Sequence, residues 1–81
     1  MSALKKRIKK IIRNPHDVSF EDLQNVLLSI GCEVRQPRKG SSHYIFKRKG
    51  DGTMLSVPKK KPVKEKYVKK AIDLFQLEEY I

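Results

Sequence analysis

The sequence predicts an α+β domain in which a three-stranded antiparallel sheet packs against helices. Three observations support this fold class. Residues 19–30 carry a helical apolar pattern, and residues 32–57 contain three short alternations of apolar and polar residues. Residues 63–77 then return to helical spacing. A chain of 81 residues has room for one such domain and excludes a two-domain enzyme with a cofactor cleft.

The first element is a basic amphipathic helix over residues 3–13. Leu4, Ile8, Ile11 and Ile12 share one stripe, Lys and Arg cover the other positions, and Pro15 ends the helix. Such a helix can lie on a membrane, hold an acidic partner, or dock on its own domain through the isoleucines. The narrow stripe without an aromatic residue favours docking. We therefore divide the chain into an N-terminal helix at 1–14 and a single domain at 15–81.

The second helix, at residues 19–30, has clear boundary signals. Ser19 is a good N-cap, and Asp22 stands three residues later, as in a capping box. Gly31 supplies the left-handed position that follows a helix. The predicted buried face consists of Phe20, Leu23, Val26, Leu27 and Ile30.

Three strands are predicted at residues 32–35, 42–48 and 53–57, the last stopped by Pro58. In the second strand Tyr44 and Phe46 occupy one face, and His43, Ile45 and Lys47 the other. The glycine-containing turn at 49–52 predicts a hairpin of strands two and three. Helices cover one face of the sheet, and the other face is left open.

A final helix is predicted at residues 63–77, with Pro62 in its first turn. Its apolar side consists of Tyr67, Val68, Ala71, Ile72, Leu74 and Phe75.

The charge of the chain indicates an anionic partner. Nineteen Lys and Arg against nine Asp and Glu give a net charge of +10. Residues 35–70 hold thirteen of the cations and two acids, whereas residues 71–81 hold three acids and no cation. Nucleic acid is the commonest partner of such a surface, and a merely solvated basic surface is the alternative.

The composition excludes several other classes of protein. Cys32 is the only cysteine and there are two histidines, so neither a disulfide nor an ordinary zinc site is expected, and no cofactor motif is present. No apolar run is long enough to span a membrane, and no signal peptide is predicted. We expect a small, monomeric protein of a reducing compartment, the cytoplasm, with Cys32 in the core.

His43 is the candidate catalytic residue, because an imidazole can accept and donate protons at cellular pH. With cations holding a phosphate, it suffices for metal-free cleavage of RNA, in which the 2′-hydroxyl is the nucleophile. The alternative is a surface histidine that binds phosphate without reacting. His16 lies between two predicted helices and is expected in a loop.

The residues predicted to bind RNA surround this histidine in the sequence. They are Arg38, Lys39, Gly40, Ser41, Ser42, Lys47, Lys59, Lys60 and Lys61. Arg48 also belongs to the cations expected to flank His43. Tyr44 and Phe46 can stack on bases, although alternate aromatic residues more often pack in a core.

The segment at residues 38–46, RKGSSHYIF, resembles the Gly-Ser-His motif of HicA toxins, the RNA-cleaving partners in HicA–HicB toxin–antitoxin systems. The segments at 55–59, LSVPK, and 66–72, KYVKKAI, are similar to the strand-Val-Pro segment and the final helix of that family. The resemblance covers about residues 19–77 and leaves out the helix at 3–13.

The resemblance implies a fold like the double-stranded-RNA-binding domain and a metal-independent endoribonuclease that acts on mRNA. It implies that His43 is the catalytic residue and that a HicB-type antitoxin covers the site. The chain departs from the family pattern in having Ser41-Ser42 between Gly40 and His43, and Lys60 where many relatives have a second histidine. The alternatives are a non-catalytic RNA-binding module of the same fold, or a DNA-binding or membrane-surface protein that uses the first helix.

Overall fold

The computed structural model describes residues 3–36, 43–60 and 62–81, which form an α+β fold. The elements in chain order are α1 (Ala3–Arg13), α2 (Phe20–Ser29), β1 (Cys32–Arg35), β2 (His43–Arg48), β3 (Met54–Pro58), α3 (Glu65–Leu74) and a 3₁₀ helix (Leu77–Tyr80). None of the helices in these ranges has the length and apolar character needed to cross a bilayer.

The three strands form one antiparallel sheet, as predicted, and their order in the sheet is β1-β2-β3. Val34, Phe46 and Leu55 are aligned across it and face the helices. The opposite face is open, and most of its side chains are exposed. The exposed ones are Glu33, Arg35, His43, Lys47, Met54 and Ser56, whereas Ile45 is half-buried and Pro58, which is paired with His43, is buried.

The predicted boundaries of α2 are confirmed within one residue. The Ser19 hydroxyl accepts a hydrogen bond from the backbone N–H of Asp22 at 3.1 Å, and Gly31 adopts a φ of +97°. These two signals fix the ends because the serine satisfies a free N–H group and the glycine adopts a left-handed conformation without strain. Four of the five predicted apolar positions are buried, and Ile30 is half-buried.

Helix α1 is docked on the domain through its isoleucines, as the narrow stripe indicated. Ile8 and Ile11 are buried in the same core cluster as the residues of α2 and the sheet, and Leu4 and Ile12 pack against it. The helix contacts α2, α3 and the 3₁₀ helix. Its apolar face is therefore occupied by the protein itself.

The predicted span of the final helix was wrong at both ends. Pro62 precedes the helix, Lys64 is the N-cap, and the last helical residue is Leu74. Gln76 then adopts a left-handed φ of 50°, which ends the helix and redirects the chain. Leu77 is buried from the 3₁₀ helix that follows, and Leu74, which was expected on the apolar side, is 37% exposed.

Arg48 was wrongly predicted to flank His43. It lies at the far end of β2 on the helix-covered face, where its side chain is 14% exposed. Its Nη1 donates to the Phe75 carbonyl oxygen at 2.8 Å, and its guanidinium also binds Asp51 in the hairpin turn. The residue connects the β2–β3 turn to the end of α3, which is a structural role.

Candidate functional site

Several predicted site residues lie outside the residues that the structure describes. They are Arg38, Lys39, Gly40, Ser41, Ser42 and Lys61. The geometry of the site is therefore built from His43, Lys47, Lys59 and Lys60.

His43 is the first residue of β2 and is exposed. It is paired with Pro58, the last residue of β3, and it shares the open face of the sheet with Ile45 and Lys47. Directly paired residues of antiparallel strands have Cα atoms about 5 Å apart, so the segment that follows Pro58 begins beside His43. The fold thus places the imidazole at the end of a rigid strand, where a large polymer can reach it.

Tyr44 anchors this end of β2 to the helical layer. Its ring centroid lies 5.1 Å from that of Phe20, the first residue of α2, at an angle of 56°. Phe20 in turn lies 5.9 Å from Phe46. Tilted aromatic pairs of this kind add packing energy to the burial of the rings. Because Phe20 and Phe46 are buried, the backbone position of His43 is held by the core.

Lys59 extends over the same two rings. Its Nζ lies 5.9 Å from the Tyr44 ring centroid and 6.0 Å from that of Phe20, both within the range of cation–π attraction. The ammonium group therefore lies at the helix-covered side of the strand end, while His43 lies at the open side. This contact orients a cation that would otherwise sample many rotamers.

The segment that carries the lysines is fixed at its far end. The backbone N–H of Val63 donates to the carbonyl oxygen of Val18 at 2.9 Å, and both side chains are buried. Lys60 lies between these anchor points and is exposed. Lys59 and Lys60 are thus presented together at the end of the sheet that carries His43.

Lys47 is not close to His43. It lies on the same face of β2 but four residues further along, which corresponds to about 13 Å at the rise of an extended strand. A shallow depression on the open face is lined by Lys47, Arg35, Ile45 and Met54. An anionic polymer that crosses the open face from His43 would reach this depression.

The other residues with reactive side chains are remote from this chemistry. Cys32 is 6% exposed, and burial raises the pKa of its thiol to about 11, which suits a core residue. His16 is exposed in the connection between α1 and α2, as expected. Among the described residues, no three His, Cys, Asp or Glu side chains are grouped as metal ligands.

The arrangement combines an exposed imidazole with cations at one end of the sheet. An imidazole can transfer protons, and ammonium groups can hold a phosphate and stabilise charge that develops on it. Sequence reasoning missed the role of Phe20 and Tyr44 as the platform under Lys59. The alternation in β3 could have indicated this role. Alternate residues of a strand point to one face of the sheet, so Lys59 is on the same side as Leu55 and Val57.

Comparison with known protein families gives a match over most of the chain. A family model described as HicA toxin of bacterial toxin–antitoxin systems matches residues 20–77. The matched segment includes the whole sheet, α2 and α3, but not α1. No curated protein and no solved structure matched the chain.

Proposed function

The chain belongs to the HicA family of toxins from bacterial toxin–antitoxin systems, and we propose that it is a metal-independent endoribonuclease that cleaves mRNA. The observation that carries the proposal is the position of His43 within the matched segment, exposed at the start of β2 and at the same end of the sheet as Lys59. The overall positive charge supports a polyanionic substrate.

In the proposed reaction His43 acts as the general base. It removes the proton from a ribose 2′-hydroxyl, and the resulting oxygen attacks the adjacent phosphorus. The bond from phosphorus to the 5′-oxygen breaks, leaving a 2′,3′-cyclic phosphate and a 5′-hydroxyl, and the leaving oxygen takes a proton from the imidazolium or from water. The nucleophile is already part of the substrate, so proximity contributes much of the rate.

The lysines are proposed to hold the phosphodiester that reacts. Lys59 and Lys60 lie at the same end of the sheet as His43. The other proposed contacts directly precede His43 or follow Lys60 in the sequence, and they are Arg38, Lys39, Gly40, Ser41, Ser42 and Lys61. Lys47 is proposed to contact the backbone further along the strand. These cations stabilise the charge that builds up on the phosphate oxygens during attack.

The test compares the two histidines of the chain. His43→Ala is expected to abolish cleavage of a defined transcript by the purified protein while the circular dichroism spectrum is unchanged. His16→Ala, the matched control, is expected to cleave like the parent. Cleavage by His43→Ala would reject the catalytic role, and an inactive parent that binds RNA would identify a non-catalytic RNA-binding module. Cleavage is expected to persist in EDTA, and its loss there would reject the metal-free mechanism.

A toxin of this kind acts with an antitoxin partner, and we propose that the partner covers the end of the sheet that carries His43. The surrounding cations predict that the covering surface of a HicB-type protein is acidic. The protein encoded beside this chain should co-purify with it and prevent cleavage. Co-purification without inhibition would place the interface elsewhere.

A further inference from the structure

Helix α1 carries an unusually dense positive charge. Its eleven residues include six cations and no acid. At 100° per residue the cations cover about 200° of the helix circumference, and the buried stripe covers a separate arc of about 100°. All six are exposed, and they are Lys5, Lys6, Arg7, Lys9, Lys10 and Arg13.

This distribution is unfavourable for the isolated helix. Lys5 and Lys9, like Lys6 and Lys10, are like charges four residues apart and repel each other. The first turn has no acidic residue, so its lysines add to the positive end of the helix dipole. None of the ion pairs among the described residues includes a side chain of α1. A bound anion would relieve both kinds of repulsion.

We propose that the outer face of α1 binds the phosphodiester backbone of RNA and extends the substrate surface beyond the segment shared with the family. The proposal rests on the proposed function, because it takes RNA to be the substrate. The family match begins at residue 20, so these six cations are a feature of this chain outside the matched segment.

The burial and composition of the helix argue against two other kinds of anionic partner, a membrane surface and an acidic protein. Insertion into a membrane surface requires the apolar stripe, and Ile8 and Ile11 are already buried in the core, at 0% and 2% exposure. The centre of a protein–protein interface is depleted of lysine and enriched in aromatic side chains. Apart from Ala3, the outer arc of α1 consists of cations, which suits a backbone of phosphates.

The connection to α2 places α1 within reach of the site. Six residues, and hence seven Cα–Cα steps, lie between Arg13 and Phe20, which contacts Tyr44 next to His43. The chain can span at most about 24 Å over this distance, and a turn at 14–17, closed by the Asp17 N–H to Asn14 oxygen bond, shortens it. The C-terminal end of α1 is therefore within this span of Phe20, a distance that an RNA strand of several nucleotides can bridge.

The test measures binding of an unstructured, fluorescein-labelled RNA of about 20 nucleotides to protein that carries His43→Ala, so that the probe is not cleaved. A triple variant replaces Lys6, Lys9 and Arg13 by Gln. We expect roughly tenfold weaker binding, and a slope of log affinity against log salt that is smaller by about 2, since each phosphate contact contributes about 0.7.

The matched control replaces Lys66, Lys69 and Lys70 of α3 by Gln and removes the same charge. The α1 assignment is overturned if the α1 variant binds like the His43→Ala parent, or if both triple variants lose equal affinity, which would reflect net charge alone. The conservative double variant, Lys6→Arg with Lys9→Arg, should preserve binding. Equal affinity of the parent for poly-glutamate, weakened in the α1 variant but not in the α3 control, would assign α1 to an acidic protein instead. If the His43→Ala parent does not bind RNA and the wild-type protein does not cleave it, the proposed function itself is rejected.

Discussion

The guanidinium of Arg48 holds the carboxylate of Asp51 through two hydrogen bonds, from Nε to Oδ1 at 3.2 Å and from Nη2 to Oδ2 at 2.6 Å. Asp51 Oδ1 also accepts the backbone N–H of Thr53 at 3.0 Å, which closes the turn between β2 and β3. The hydrogen bond from Arg48, followed by those from Thr53, holds the pKa of Asp51 well below its ordinary value.

This relationship predicts a contribution to stability that depends on pH. Asp51 stays ionised in the folded protein at pH values where the unfolded chain binds a proton, so the contribution is present above about pH 4 and is lost as the pH falls further. Asp51→Asn should lower the urea midpoint at pH 7, and its difference from the parent should shrink by pH 3. Asp73→Asn in α3 is the control, and a midpoint difference for Asp51→Asn that is constant with pH would contradict the prediction.

Lys47 and Lys59, two of the lysines predicted to bind RNA, should differ in importance because the fold separates them. Lys59→Gln should lower kcat/KM for RNA cleavage about tenfold, the value of one charge-assisted contact. Lys47→Gln should lower it less than about twofold at physiological salt, because its distance from His43 exceeds the screening length of about 8 Å. Lys59→Arg should retain activity. Equal losses for both Gln variants would show that the RNA path does not favour the Lys59 end.

The thiol of Cys32 should be protected from alkylation. Burial raises its pKa to about 11, so at pH 8 the native protein should react with iodoacetamide at least about 100-fold more slowly than in guanidinium chloride. The raised pKa also stabilises the fold below about pH 8.5, and this contribution is lost as the pH rises towards 11. If the thiol reacts as fast in the native protein as in the unfolded chain, strand β1 opens readily and the prediction is wrong.

The docking of α1 should contribute strongly to stability. Ile8 is 0% exposed, so Ile8→Ala should lower the free energy of unfolding by about 2–5 kcal/mol, through lost burial and the cavity that remains. Leu28→Ala, at a position that is 41% exposed, should lower it by less than about 1 kcal/mol. Urea unfolding followed by circular dichroism measures both values. Similar values for the two variants would mean that α1 is only loosely attached.

The sequence predicted those elements whose ends carry a local chemical signal. Ser19 and Gly31 identify the ends of α2, because each satisfies a requirement of the helix terminus itself. The end of α3 had no such signal. Helical spacing continues through Phe75 to Leu77, and the left-handed conformation of Gln76 is adopted without a glycine. Burial of Leu77 in the tertiary structure decides that turn, and a local pattern does not contain this information.

The site was predictable in part for a similar reason. The position of His43 at the start of β2 follows from the alternation of the strand and the turn at 49–52. The separate roles of Arg48 and Lys59 depend on which side chains approach them from distant segments, namely Phe75 for Arg48 and Phe20 for Lys59. The alternation of residues along each strand indicated which face of the sheet a side chain is on. Its contacts with distant segments could be read only from the folded structure.

The burial of Ile8 and Ile11 has a practical consequence for anyone who shortens this protein. A recombinant fragment that starts near residue 20, where the family match begins, would lack α1. The apolar side chains of α2 and the 3₁₀ helix that α1 covers would then be exposed to solvent. Such a fragment would tend to aggregate, and its inactivity would then be mistaken for a catalytic defect. Expression and grafting should therefore retain the chain from its first helix onward.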